Sequence, residues 1–267
     1  MARERGAWTK AMWAGAGVSA LAVGVLSGYV LFSGDDDGRD TAGAGKGSAS
    51  ASAPSASPVP SYTVPEDWTE PERWAALPRG ERTDKYGSQV KFPRTTEGAV
   101  AALMHASTTV VEGAQTAVDE QLRVYHSYVG AQGQSEANAE QVELSALQTH
   151  KNLSKKVGLT PEQIWPTGYH VRNSVVGYQM LGKPADDEVS VWLLSRVTVK
   201  AGETATEASA YTRTAVGAQW TDGDWKITPA AAQHAAAAMK SGERPGLGVP
   251  GDLAFNREGW TAIREAS

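Results

Sequence analysis

The chain has 267 residues, a formal net charge of -5 and no cysteine. It therefore has no disulfide, thiolate nucleophile or cysteine metal site, and its acidic balance argues against direct nucleic-acid binding, which needs clustered Lys and Arg to displace counterions from phosphates. With the low-complexity stretches set aside, about 200 residues remain, a length that suits one folded domain.

Residues from Ala11 to Phe32 carry no charge and are mostly apolar. As a helix they are long enough to cross a bilayer core of about 30 Å, which predicts a single transmembrane helix over residues 11–33 anchored in membrane lipid. Arg3, Arg5 and Lys10 precede it and Asp35, Asp36 and Asp37 follow it. The bias of basic residues toward the cytoplasm then puts residues 1–10 inside and the remainder outside the cell membrane. A cleaved signal peptide is the alternative, but its apolar run is shorter and a small-residue cleavage site follows closely, whereas the Ala-rich stretch here comes about 15 residues late. Within the helix Ala16, Ala20, Gly24 and Gly28 recur every four residues. Such a stripe lets two helix backbones approach and is a candidate face for self-association, although Gly and Ala are common in membrane helices anyway.

Residues 34–61, rich in Ser, Ala, Gly and Pro, have almost no large apolar side chain. They cannot bury enough surface to offset ordering entropy and read as a disordered tether. At Tyr62 the composition changes, and Trp68, Trp74, Leu77, Tyr86, Val90 and Phe92 amid Pro and charge suggest an extended, irregular lead-in packed on a domain. The expected extracytoplasmic domain is 62–267, its core about 74–240 and its tail 241–267 irregular.

Thr95 or Thr96 can cap a helix in which Val100, Leu103, Ser107, Val111, Ala114, Val118, Leu122, Tyr125 and Val129 follow a helical period, with Gly113 as a candidate break. A second helix is expected from about Glu136 to Val157, and "LTPEQIW" offers Thr160 as cap with Pro161 at the first helical position.

Beyond Pro166 the period becomes alternating. "YHVRNSVVGYQM", "EVSVWLLSRVTVK" and "ATEASAYTRTAVGAQW" read as strands of an antiparallel meander, with Val189, Val191, Leu193, Val197 and Val199 on one face of the second. In "WTDGDW", Asp222 and Gly223 suit the two central positions of a type I′ turn, which needs positive φ twice. That register sets Trp220 opposite Trp225 as a cross-strand pair, and it favours a structural over a ligand-stacking role for the two rings. Thr228 and Pro229 then open a short Ala-rich helix, and Leu253, Phe255, Trp260 and Ile263 are available to dock the tail. The fold class is α+β, with helices packed on a curved antiparallel sheet.

Chemical motifs are few. Gly246, Gly248 and Gly251 spell GxGxxG, but the run carries a Pro, follows no strand and opens no helix, so no dinucleotide site is expected. "SQVK" over Ser88–Lys91 lacks the companion elements of the serine enzymes that use S-x-x-K. His105, His126, His150, His170 and His234 have no metal-ligand spacing. Asp186, Asp187 and Glu188, and Asp222 with Asp224, fall at turns where water would solvate them; Asp119, Glu120 and Arg123 read as an exposed helix face. No catalytic residue, cofactor site or metal site is expected.

The segment "VKFPRTTEGAVAAL" resembles the "aHTPtGAllAAl" segment of a family of actinobacterial membrane-anchored proteins often found beside conjugation genes. Arg94, Thr95, Thr96, Gly98, Ala99, Ala101 and Ala102 align with it, while Phe92 and Glu97 depart, and the resemblance spans roughly residues 74 to 260. The order of anchor, linker, helices and a meander ending in "W-x-D-G-D-W-x-I" is also similar to the nuclear-transport-factor-2-like (cystatin-like) cone of extracytoplasmic scaffold subunits in type IV secretion and conjugation machines. The resemblance implies a membrane-anchored scaffold that works through self-association and contacts with membrane-embedded transport or conjugation subunits. The same cone can instead form a pocket for a small ligand or a substrate, lined by residues such as Tyr125, Tyr169, Tyr178 and Trp192.

Overall fold

A computed structural model of the protein describes residues 68–156, 160 and 165–265. The expected membrane helix with Ala16, Ala20, Gly24 and Gly28, the tether, and most of the short helix expected after Thr160 lie outside those residues. Among the described residues no helix is long and apolar enough to cross a membrane.

The architecture is α+β, with helices packed on a curved, half-barrel mixed sheet. The lead-in contributes three short strands, β1 (Trp74–Leu77), β2 (Arg82–Thr83) and β3 (Gln89–Val90). Helix α1 (Thr96–Ser107) follows, then β4 (Thr109–Glu112), α2 (Ala117–Tyr128) and α3 (Glu136–Lys156). Three long strands come next, β5 (Tyr169–Met180), β6 (Glu188–Ala201) and β7 (Ala208–Thr221), and then β8 (Asp224–Lys226), α4 (Pro229–Ser241), α5 (Leu253–Arg257) and β9 (Thr261–Glu265). The sheet order is β1-β9-β5-β6-β7-β8, with β4 also pairing β5, and β2 and β3 form a separate ribbon.

The sheet is mixed rather than antiparallel because the tail is a strand. β9 runs parallel to β1 and antiparallel to β5, with Trp74 opposite Ala262 and Gly177 also opposite Ala262. The core accordingly reaches beyond residue 240, since Phe255 and Trp260 are fully buried. The lead-in is fixed to the same end: Asn256 accepts from Glu72 N and donates to the Glu70 carbonyl.

Local chemistry accounts for the helix starts. Thr95 Oγ1 accepts from Gly98 N, Thr116 and Asp119 form a reciprocal capping box, and Thr228 Oγ1 accepts from Ala231 N with Pro229 in the first turn. The first helical period breaks where β4 intervenes, so Val111 lies on a strand and α2 restarts in a different frame. Its buried residues include Ala117, Gln121, Val124 and Tyr128, which lie off the expected stripe; of that stripe Tyr125 and Val129 are buried with Leu122 packed against them, and Val118 is half-buried.

Helix α1 lies against β1, β5, β6, β7 and β8 at once, which one helix can do only on the concave side of a curved sheet. Nine of its twelve residues are buried, as expected for a helix enclosed on every side. Ala99, Ala101, Ala102 and Ala106 let the strands come close, and Val189, Val191, Leu193, Val216 and Ala218 meet them from the sheet. The convex side packs Trp192 and Leu194 against Phe255 and Trp260. It also carries α4, whose Ala231 carbonyl would lie 2.6 Å from a Cβ placed on Gly217. A bulge between Val175 and Gly177 changes which residues of β5 face inward, so Val175 and then Tyr178 and Met180 join the concave core.

Candidate functional site

The hairpin that closes the meander has positive φ at both central residues, 55° at Asp222 and 71° at Gly223, as a type I′ turn requires. Trp220 pairs with Trp225, their ring centroids 5.5 Å apart and edge to face. Both rings are engaged in the fold, Trp220 half-buried against the α1 core. Trp225 is buried, its Nε1 donating to the Pro93 carbonyl at 2.8 Å, and the Arg94 guanidinium lies over the Trp220 ring.

Two carboxylates read as solvated on sequence are buried. Asp224 is 2% exposed. Its Oδ1 accepts from Phe92 N and Trp225 N, and its Oδ2 from Lys91 N and from Lys226 Nζ at 3.0 Å. A left-handed turn at Lys91, φ 65°, belongs to the segment that aims these amides at Asp224. Glu120, also 2% exposed, receives the Arg123 guanidinium at 2.9 Å, Val110 N and the Gln115 amide. Arg123 in turn donates to Ser88 Oγ and to the Thr108 carbonyl. The signal for this pair was the Glu-x-x-Arg spacing on α2, but helical spacing alone does not reveal which face is covered.

These groups form a polar seam between the β2–β3 ribbon, α2 and β8. Lys226 Nζ reaches the Ser127 carbonyl at 2.7 Å, and Tyr128 donates to the Gln89 carbonyl at 2.9 Å. Burial pushes the Tyr128 hydroxyl up to about 12. At Asp84 burial works upward, but the Ser88 amide, the neighbouring Ser127 side chain and the Tyr86 amide, with a smaller share from the Lys226 charge, outweigh it and hold the carboxyl below its usual range. Each oxygen of Asp224 and Glu120 already accepts from at least two donors, so neither carboxylate is placed to take a proton from a substrate. Their arrangement fastens the lead-in to the domain.

The four aromatic residues that could line a cone pocket are not brought together. Tyr125 packs with Val129 and Val142, Tyr169 with Leu153 and Val171, Tyr178 against the α1 core and Trp192 on the convex side. The Tyr125 hydroxyl accepts from Ser135 N and bonds the Ser135 carbonyl, pinning the α2–α3 connection.

Between the two concave clusters runs a band of polar residues. Gln121 lies between Ala117 and Val124 on α2, and Thr109 sits opposite Asn173 where β4 pairs β5. Both amide atoms of Gln121, which is 1% exposed, lack a hydrogen-bond partner, as do Thr109 Oγ1 and Asn173 Oδ1.

The remaining motifs separate. Ser88 is engaged by Arg123, while Lys91 Nζ donates to the Asp222 and Gly223 carbonyls, so the S-x-x-K residues do not form a nucleophile–base pair. The GxGxxG run packs on α5: Gly246 N donates to Glu258, and Gly248 lies against the Phe255 backbone. His126 stacks on Tyr86 and His150 on Trp165, while His170 contacts Glu207 and His234 contacts Glu188. Among the described residues no three His, Asp or Glu side chains converge as a metal site. No family model, curated protein or solved structure matches the chain.

Proposed function

We propose that the protein is a membrane-anchored extracytoplasmic scaffold or assembly subunit, acting through protein–protein contacts in a DNA-transfer or secretion apparatus. Residues 11–33 hold it in the cell membrane with the N-terminus inside, the tether lifts the domain clear, and the domain is a cone of the nuclear-transport-factor-2-like kind. The observation that carries this reading is the occupation of the concave side by α1, which puts small side chains where a pocket fold keeps an opening. The dispersal of the four aromatic candidates and the satisfied buried carboxylates point the same way. The resemblance of the segment around Thr95 and Gly98 supplies the apparatus, and the net charge of -5 favours protein over nucleic acid as the direct partner.

Crosslinking of the tagged full-length protein in its native membrane, followed by mass spectrometry, tests the reading. It predicts recovery of the protein itself with a transfer ATPase or other membrane-spanning transport subunits; recovery of monomer alone refutes it. Protease added to intact cells should cut the domain without lysis.

A second reading has one observation in its favour. The orphaned donors and acceptors of Thr109, Gln121 and Asn173 on the concave side would suit a small uncharged ligand with both hydrogen-bonding senses, making the protein a tethered binder. On that reading the full-length protein carries such a molecule through purification and Gln121→Leu abolishes its retention.

A further inference from the structure

Helix α3 is buried mainly on one side; near its C-terminal end Ser154, which falls on the opposite arc, is also buried, with Trp165 Nε1 donating to its hydroxyl. Val142, Ala146, Thr149 and Leu153 face the domain, while Glu136, Glu140, Leu144, Leu147, Lys151 and Lys155 are exposed. At 100° per residue these six fall within one arc on the far side of the helix. Leu144 and Leu147 are 54% and 40% exposed, among the most exposed large apolar side chains of the domain.

The order along this stripe is Glu, Glu, Leu, Leu, Lys, Lys. It is symmetric about a midpoint between Ser145 and Ala146: the leucines flank the midpoint, Glu140 mirrors Lys151, and Glu136 mirrors Lys155. Charge reverses across that midpoint. A second α3 laid antiparallel on the first therefore sets Leu144 against Leu147, Glu140 against Lys151 and Glu136 against Lys155, and the two-fold axis repeats each contact. This is the requirement for an isologous interface, in which one patch is complementary to itself.

The helix dipole favours Glu in the first turn and Lys in the last, which accounts for Glu136 and Lys155. It decays within a turn, so it does not explain Glu140, Lys151 or the bare leucines. Within one helix, moreover, Glu136 and Glu140 repel at i, i+4, as do Lys151 and Lys155. A partner with the opposite order relieves both repulsions.

We propose that the exposed face of α3 is a self-docking surface, occupied by α3 of a second copy of this chain in antiparallel, two-fold arrangement. This deepens the scaffold reading, on which it rests, by naming the partner and the contact. A pair of helices 21 residues long buries less than the roughly 1,200–2,000 Å² of a stable interface. The contact is therefore weak between free molecules and strong between copies confined to one membrane, where tethering raises effective concentration.

Charge reversal tests it. The full-length chain in mild detergent is compared by sedimentation equilibrium with two variants, Glu136→Lys with Glu140→Lys and Lys151→Glu with Lys155→Glu. The parent should dimerise, each variant alone should do so at least tenfold more weakly, and an equimolar mixture of the two should recover the parent's affinity. Raising the salt should weaken the parent's dimer. Circular dichroism and thermal unfolding identify a variant that has lost its fold, in which case Leu144→Ser with Leu147→Ser replaces it and should also dimerise at least tenfold more weakly. Variants that dimerise like the parent overturn the α3 contact while leaving an assembly role intact, because self-association then lies elsewhere. A parent that stays monomeric at every concentration, in detergent and when crosslinked in the native membrane, overturns both.

Discussion

Replacing Asp224 by alanine separates two accounts of one residue. An aspartate just past a tight turn, solvated by water, would cost less than about 0.5 kcal/mol to remove. In the structure the same side chain is buried and accepts from three backbone amides and the Lys226 ammonium. Its loss strands the amides of Lys91, Phe92 and Trp225 and leaves Lys226 with only the Ser127 carbonyl among these partners. Removing one member of a buried, hydrogen-bonded charge pair costs about 3–5 kcal/mol. In a domain of about 200 residues each kcal/mol lowers Tm by about 2–4 °C, so the midpoint should fall by roughly 6–20 °C. Urea unfolding followed by tryptophan fluorescence gives the free energy directly, with an unchanged m-value showing that the same surface unfolds. Adding Lys226→Met to Asp224→Ala should recover part of the loss, because the stranded ammonium is then gone. A change below about 0.5 kcal/mol at constant m would refute the seam as a fastener.

Glu120→Leu should destabilise by about 3 kcal/mol, since it leaves the Arg123 guanidinium with only Ser88 and Thr108, and urea titration reads it. Gly217→Ala forces a Cβ to 2.6 Å from the Ala231 carbonyl and should cost about 1–3 kcal/mol in the same assay. The Tyr128 hydroxyl is raised to about 12 in the folded chain against 10.0 as its ordinary value, so the unfolded chain loses this proton first as pH rises. The resulting stability is fully present below pH 10 and falls away between pH 10 and 12, by at most about 2.7 kcal/mol. Tyr128→Phe should make the alkaline limb of a stability–pH profile shallower, and an unchanged limb would show that the hydroxyl ionises freely in the folded protein.

The local grammar of the chain was legible because local chemistry writes it. Thr95 and Thr228 cap the helices they precede, Asp222-Gly223 turns the hairpin, and the three long alternating stretches are β5, β6 and β7. What escaped depends on partners distant in sequence. β9 is only five residues long and gains its identity from β1 and β5, so the tail read as irregular. β4 is four residues between two helices and carries apolar residues that continued a helical period. Asp224 and Glu120 looked solvated because the segments that cover them lie 10 to 133 residues away. The four aromatic residues share a composition cue but no strand face or helix stripe, and they fall in different clusters for that reason.

Photo-crosslinking in the native membrane tests the central claim most directly. A photoreactive residue is placed in the full-length protein at Leu147 on the exposed face of α3 and, separately, at Gln121 on the concave side. The scaffold account predicts protein adducts from Leu147, a second copy among them, and none from Gln121. Adducts to a small molecule from Gln121, with no protein captured from Leu147 or other exposed positions, would contradict it and make the concave side the working part of the molecule.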